Sequence, residues 1–105
     1  MEITKEIENA VRTIIAKSLM IPEDDVHLHS KLLVELEAES IDILDIRFGV
    51  EQHFGIKFSN EEIKKNLQRM ATENDVTEKD IPNLFTVESI CKYVVYKLTQ
   101  KNEKQ

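Results

Sequence analysis

Only two glycines and two prolines punctuate 105 residues. Turns draw on these residue types, and the chain is instead rich in Glu, Lys, Leu and Ile, so an all-α fold is expected. The length suits one domain with one core and leaves no room for a second lobe or a deep enclosed active site.

Apolar spacing marks the helices. Ile3, Ile7, Val11, Ile14, Ile15 and Leu19 form one stripe, predicting a helix over 3–19. Pro22 biases Ile21 out of helical geometry. A long loop then runs to about Glu39, with Val26, Leu28, Leu32, Leu33 and Leu36 expected to anchor it in the core. A second helix opens at Ser40. Ile41, Leu44, Phe48 and Glu51 lie along one side, Ile43, Ile46, Val50 and Phe54 on a flank, and Asp42, Asp45, Gly49 and Gln52 on the polar side. That apolar sector is wide for a surface helix, and Gly55 suits its left-handed stop.

Ser59 and Glu62 have capping-box spacing, predicting a helix to about Met70. Thr77 is placed to cap a short turn before Pro82, and Thr86 to cap a last helix buried through Val87, Ile90, Cys91, Val94, Val95 and Leu98. The expectation is one domain over 1–99, of four main helices or five, with a polar, frayed tail over 100–105. No internal repeat is visible.

Charge is concentrated. Of the net −6, the stretch from Glu35 to Glu51 holds −5, from six acids (Glu35, Glu37, Glu39, Asp42, Asp45, Glu51) and Arg47. Such a patch attracts basic partners and repels nucleic acid and anionic membranes. Cys91 stands alone, which excludes an internal disulfide or a multi-cysteine metal site. No signal peptide or membrane span is read, so a cytoplasmic protein is the default.

Constellations for catalysis fail on spacing. Ser40 and His53 lie on one predicted helix, roughly 20 Å apart along its axis. Cys91 sits on an apolar stripe with no activating histidine near in sequence. His27 and His29 lack the further ligands of a zinc site. The run Glu23-Asp24-Asp25 lacks the alternating ligands and glycine of a calcium loop, and no glycine-rich phosphate loop exists. No catalytic or metal site is therefore expected. Ser40 has two readings: an N-cap, or a hydroxyl displayed where helix-terminal amides favour a phosphate.

Glu35-Leu-Glu-Ala-Glu-Ser-Ile-Asp42 resembles the Asp-Leu-Gly-Ala-Asp-Ser-Leu-Asp signature of acyl carrier proteins. The resemblance continues through Leu44, Asp45, Phe48, Val50, Glu51, Phe54, Gly55 and Ile56, and covers most of the chain. It implies a right-turning helical bundle, monomeric and non-catalytic. Ser40 would bear a 4′-phosphopantetheine arm, transferred from coenzyme A by a separate phosphopantetheinyl transferase. The arm's thiol would hold an acyl chain as a thioester. Glu35, Glu37, Glu39, Asp42, Asp45 and Glu51 would dock basic synthases and acyltransferases, and Val11, Ile14, Leu44, Phe48, Phe54, Ile90 and Val94 would line an acyl pocket. Glu37 stands in place of the usual glycine, Glu39 of aspartate, Ile41 of leucine, and Arg47 where an apolar residue is common. The long stretch between Phe54 and Thr86 resembles specialised carriers of very long acyl chains, including those for lipid A. A peptidyl or polyketide carrier is the alternative within the class. An unmodified acidic helical adaptor, with Ser40 only a cap, is the alternative outside it.

Overall fold

A computed structural model describes residues 3–103 and is built from α-helices. These are α1 (Lys5–Leu19), α2 (Ser40–Phe54), α3 (Asn60–Glu73), the short α4 (Ile81–Leu84) and α5 (Val87–Glu103). Short 3-10 turns at Glu23–Asp25 and Glu78–Asp80 complete it. The stripe of α1, the start and end of α2, and the serine before α3 fall where the spacing predicts. The last helix continues to Glu103, so most of the expected tail is helical, while 104–105 lie outside the described residues.

Helix ends are closed by local chemistry. Thr4 Oγ1 accepts the Ile7 N–H at 3.1 Å, and Ser59 Oγ accepts that of Glu62 at 3.0 Å. Thr86 and Ser89 cap α5 reciprocally, each backbone N–H bonding the other's hydroxyl at 3.0 and 3.1 Å. The next two amides of α5 are met by the long loop: Val87 N–H donates to Ser30 O at 3.1 Å and Glu88 N–H to Leu28 O at 2.8 Å. A helix start that would otherwise leave amides unpaired is thus sealed by residues from the far side of α2. Gly55, at φ 66°, stops α2 in the left-handed region, where a Cβ is costly.

The core lies between α1, α2 and α5. Val11 and Ile15, Ile46 and Val50, and Val87, Cys91 and Val94 are its helical contributors. Val26 and Leu32 pin the loop into it with no exposed surface. Leu33, expected among those anchors, points out instead and is 40% exposed. Gly49 was assigned to the polar side of α2, but it is the seam with α1: a Cβ there would stand 2.9 Å from Ile14 Cγ2. Pro82 falls inside α4 rather than ending the turn before it, as the first turn of a helix has no need of its N–H.

The third helix sits differently. Ala71 is its one buried residue, and its nearest backbone neighbours are the turn at Glu78–Asp80 and α4. Among its ties to the body are side-chain bonds from Asn60 to Arg47 and from Glu62 to Tyr93 and Lys97.

Candidate functional site

Ser40 is the first residue of α2 and is exposed. It is not the cap. Glu39 takes that place, with extended backbone (φ −96°, ψ 170°), and its N–H donates to Asp42 Oδ2 at 2.9 Å. The Ser40 side chain therefore stands at the helix N-terminus without the capping role that would bind it inward. Partial positive charge from the first-turn amides favours a phosphate there, so the residues present suit a phosphodiester.

Helix α2 is apolar on most sides, and the two apolar sectors have different fates. Ile46 and Val50 are buried, with Ile43 packed beside them. Ile41, Leu44 and Phe48 face solvent, 74%, 61% and 61% exposed. The pocket assignment for Leu44 and Phe48 is therefore corrected. The approach of α1 at Gly49 turns the Ile43–Ile46–Val50 side inward and leaves their stripe outside. At 3.6 residues per turn, Ser40 falls between Arg47 on one side and Leu44 on the other.

On the inward side of α2, an apolar cleft of about 90 Å³ opens under α3. Ile43, Ile46 and Val50 form one wall, Ile63, Leu67 and Met70 of α3 the opposite one, and Ile90 and Tyr93 of α5 the floor. Of the residues expected to line a pocket, Ile90 does so. Val11 and Val94 are fully buried in the core, and Ile14 and Phe54 pack against that core. The α3 lining (Ile63, Leu67, Met70) escapes the sequence reading because a capping box locates the helix without saying which of its sides faces the body.

The acidic residues are partly engaged within the chain. Asp45 Oδ2 accepts the Ser18 hydroxyl at 2.7 Å, and Glu35 Oε1 accepts the Lys31 N–H at 2.8 Å. Glu51 Oε2 accepts the Phe58 N–H at 2.7 Å, while Arg47 donates to the Phe58 carbonyl and, at 2.6 Å, to Asn60 Oδ1. Arg47 and Glu51 thus hold both backbone polar groups of Phe58 and fix the approach to α3. Glu51, only 18% exposed, turns inward rather than to a docking face. Glu37 is exposed with φ 55°, a backbone that favours glycine, the residue its signature position usually holds.

On the far side of α3, Glu62 Oε2 accepts from Tyr93 Oη at 2.9 Å and Lys97 Nζ at 2.8 Å. The Lys97 hydrogen bond holds the Glu62 carboxyl below the usual range against a smaller opposing effect of burial. Tyr93 is pushed upward, first by burial and then by that carboxylate. Burial also pushes the Cys91 thiol up to about 12, helped by Glu8 and Glu88, which leaves it inert near neutrality. Ser40 and His53 stand at opposite ends of α2, beyond any hydrogen bond.

Residues 9–72 match the family model described as a phosphopantetheine attachment site. The chain belongs to the acyl carrier protein family. An acyl carrier protein of Coprothermobacter proteolyticus is 30% identical over 82 residues, covering 78% of this chain and 95% of its own length. One from Thermotoga maritima is 33% identical over 61 residues, 58% of this chain and 75% of the relative. One from Petrotoga mobilis is 32% identical over 60 residues, 57% and 71% respectively. Membership brings a covalent 4′-phosphopantetheine and the role of a carrier rather than a catalyst. No helix among the described residues is long and apolar enough to cross a membrane.

Proposed function

We propose that Ser40 bears the 4′-phosphopantetheine arm, installed by a separate transferase, and that the arm presents acyl thioesters to enzymes of fatty-acid or lipid synthesis. The observation that carries this reading is the position of Ser40. It is an exposed hydroxyl at the start of α2, inside the family match, between an apolar cleft and an exposed stripe of the same helix.

The two sides of α2 then have separate tasks. The cleft shelters the chain, since each buried methylene gains about 0.8 kcal/mol. The stripe Ile41, Leu44 and Phe48, flanked by Glu37, Glu39 and Asp45, docks partners. Contiguous exposed apolar surface marks interaction sites, and surrounding carboxylates steer basic partners without tight binding. Exchange between successive enzymes needs that weakness.

The test is incubation with coenzyme A and a broad-specificity phosphopantetheinyl transferase, read by intact mass. A single addition on the wild type and none on Ser40→Ala is expected. No addition, with the transferase active on a control carrier, sinks the assignment and leaves the acidic adaptor as the better reading. An addition that persists in Ser40→Ala moves the arm elsewhere.

A further inference from the structure

On the far side of α3 an open groove of about 380 Å³ lies between α3 and α5. Lys65, Asn66 and Arg69 form one side of it, and Tyr96, Lys97 and Gln100 the other. In a chain of net charge −6, this groove holds three bases and a single acid, Glu62.

Its acceptors are largely taken. Glu62 Oε2 already receives the Tyr93 hydroxyl and the Lys97 ammonium. Asn66 Oδ1 receives the Arg69 guanidinium at 2.6 Å. Donors are what remain. Lys65 is exposed and has no hydrogen-bond or ion-pair partner among the described residues. Arg69 meets Glu73 at 3.8 Å, but both side chains are more than half exposed, so water screens the pair and Arg69 can turn to a better acceptor. The Tyr96 hydroxyl accepts from Gln100 Nε2 at 2.7 Å, which leaves its own proton to give. The Tyr96 ring is about half exposed and stands 5.8 Å from that of Tyr93. An aromatic shelf therefore lies beside the free donors, and Tyr with Arg is the pairing that binding surfaces favour.

We propose that this groove is a second docking site, which takes an acidic peptide segment of a partner protein with an aromatic or branched apolar side chain among its carboxylates. Charge complementarity selects the sign: carboxylates pair with the free donors, whereas a basic segment meets like charge. Shape selects a peptide: the groove lies open between two helices and does not enclose a small molecule. Its sign is opposite to that of the patch around Ser40. The two faces therefore select different partners, or differently charged surfaces of one partner.

The experiment follows backbone amide resonances of the full chain at low salt as the peptide Glu-Asp-Glu-Phe-Glu-Asp-Glu is added. The same peptide with lysine at every acidic position is the control. Shifts at Lys65, Arg69, Tyr96 and Lys97 are expected with the acidic peptide alone, fading as salt is raised. Lys65→Glu combined with Arg69→Glu should weaken binding about tenfold, and Tyr96→Ala about fivefold, with amides outside the groove unmoved. Shifts that map elsewhere, or that both peptides produce equally, overturn the site. Groove shifts with phosphatidylglycerol vesicles and none with the peptide overturn it in favour of a lipid surface. Self-association in sedimentation that the double variant abolishes, without peptide binding, overturns it in favour of a second copy of the chain. No group on Ser40 is needed for the titration, so its failure is distinct from failure of the carrier reading.

Discussion

The α1–α2–α5 body and the α3 arm are both amphipathic helical structure, yet they are held by different forces. In the body, Val11, Ile15, Val50, Val87, Cys91 and Val94 are at most 1% exposed. The arm buries Ala71 and otherwise rests on partly exposed apolar side chains, the bonds to the Phe58 backbone and an ion pair at Glu62. Burial of that kind makes the body the cooperative core, and the shortage of it lets the arm open at lower free energy. A cleft roofed by the weaker element can admit a chain without unfolding the stronger one.

The largest expected break in this contrast comes from the core. Ile15→Ala should lower unfolding stability by about 2–5 kcal/mol, because the cavity left between α1, α2 and α5 cannot collapse. Leu67→Ala, on the cleft side of α3, should cost less, about 1–2 kcal/mol, since the side chain is only partly buried. Urea titration of both variants checks this. Equal losses would mean that α3 is as firmly packed as the body.

The seam at Gly49 gives the next effect. Gly49→Leu puts a side chain where even a Cβ would meet Ile14 Cγ2 at 2.9 Å. Overpacking costs about 1–3 kcal/mol, offset by roughly 0.8 kcal/mol of helix propensity, so a net loss of up to about 2 kcal/mol is expected. Gln68→Ala on the exposed side of α3 should stay within about 0.5 kcal/mol of wild type. Thermal unfolding of the pair reads the difference, and a neutral Gly49→Leu would show that α1 and α2 can separate freely.

Much of this was legible in sequence, for reasons that also explain the rest. Capping residues and apolar spacing are local signals, so Ser59, Thr86 and the stripe of α1 located their helices. The orientation of α2 is not local. With apolar residues on most of its sides, its own pattern cannot choose which sector faces in. The choice is made by a contact with Ile14, thirty-five positions before Gly49 in the chain. Leu44 and Phe48 were misplaced for that reason. Glu51 was read as a docking acid because nothing near it in sequence announces that the Phe58 amide will need an acceptor.

The smallest and most diagnostic effect is the latch between α3 and α5. Glu62 is 41% exposed and Lys97 17%, so the pair is not deeply buried and Glu62→Gln should cost about 0.2–1 kcal/mol. Its pH dependence is distinctive. The folded carboxyl lies below its ordinary 4.5, so its contribution is present above that value and fades as pH falls through the folded value. Wild type and Glu62→Gln should converge in stability under acid and differ near neutrality. At the alkaline end the sign reverses. Tyr93 is raised above its ordinary 10.0, so its contribution is present below 10.0 and fades as pH climbs through the folded value. Removing the Glu62 charge removes the secondary cause of that shift and leaves burial, the primary one. Ultraviolet titration of the phenol should therefore show Tyr93 in Glu62→Gln moving down toward, but not reaching, its ordinary value. Should the phenol not move at all, Glu62 does not face Tyr93 in solution. The arm would then have one polar tie fewer, beside its apolar contacts, the Lys97 pair and the bonds at Phe58 and Asn60.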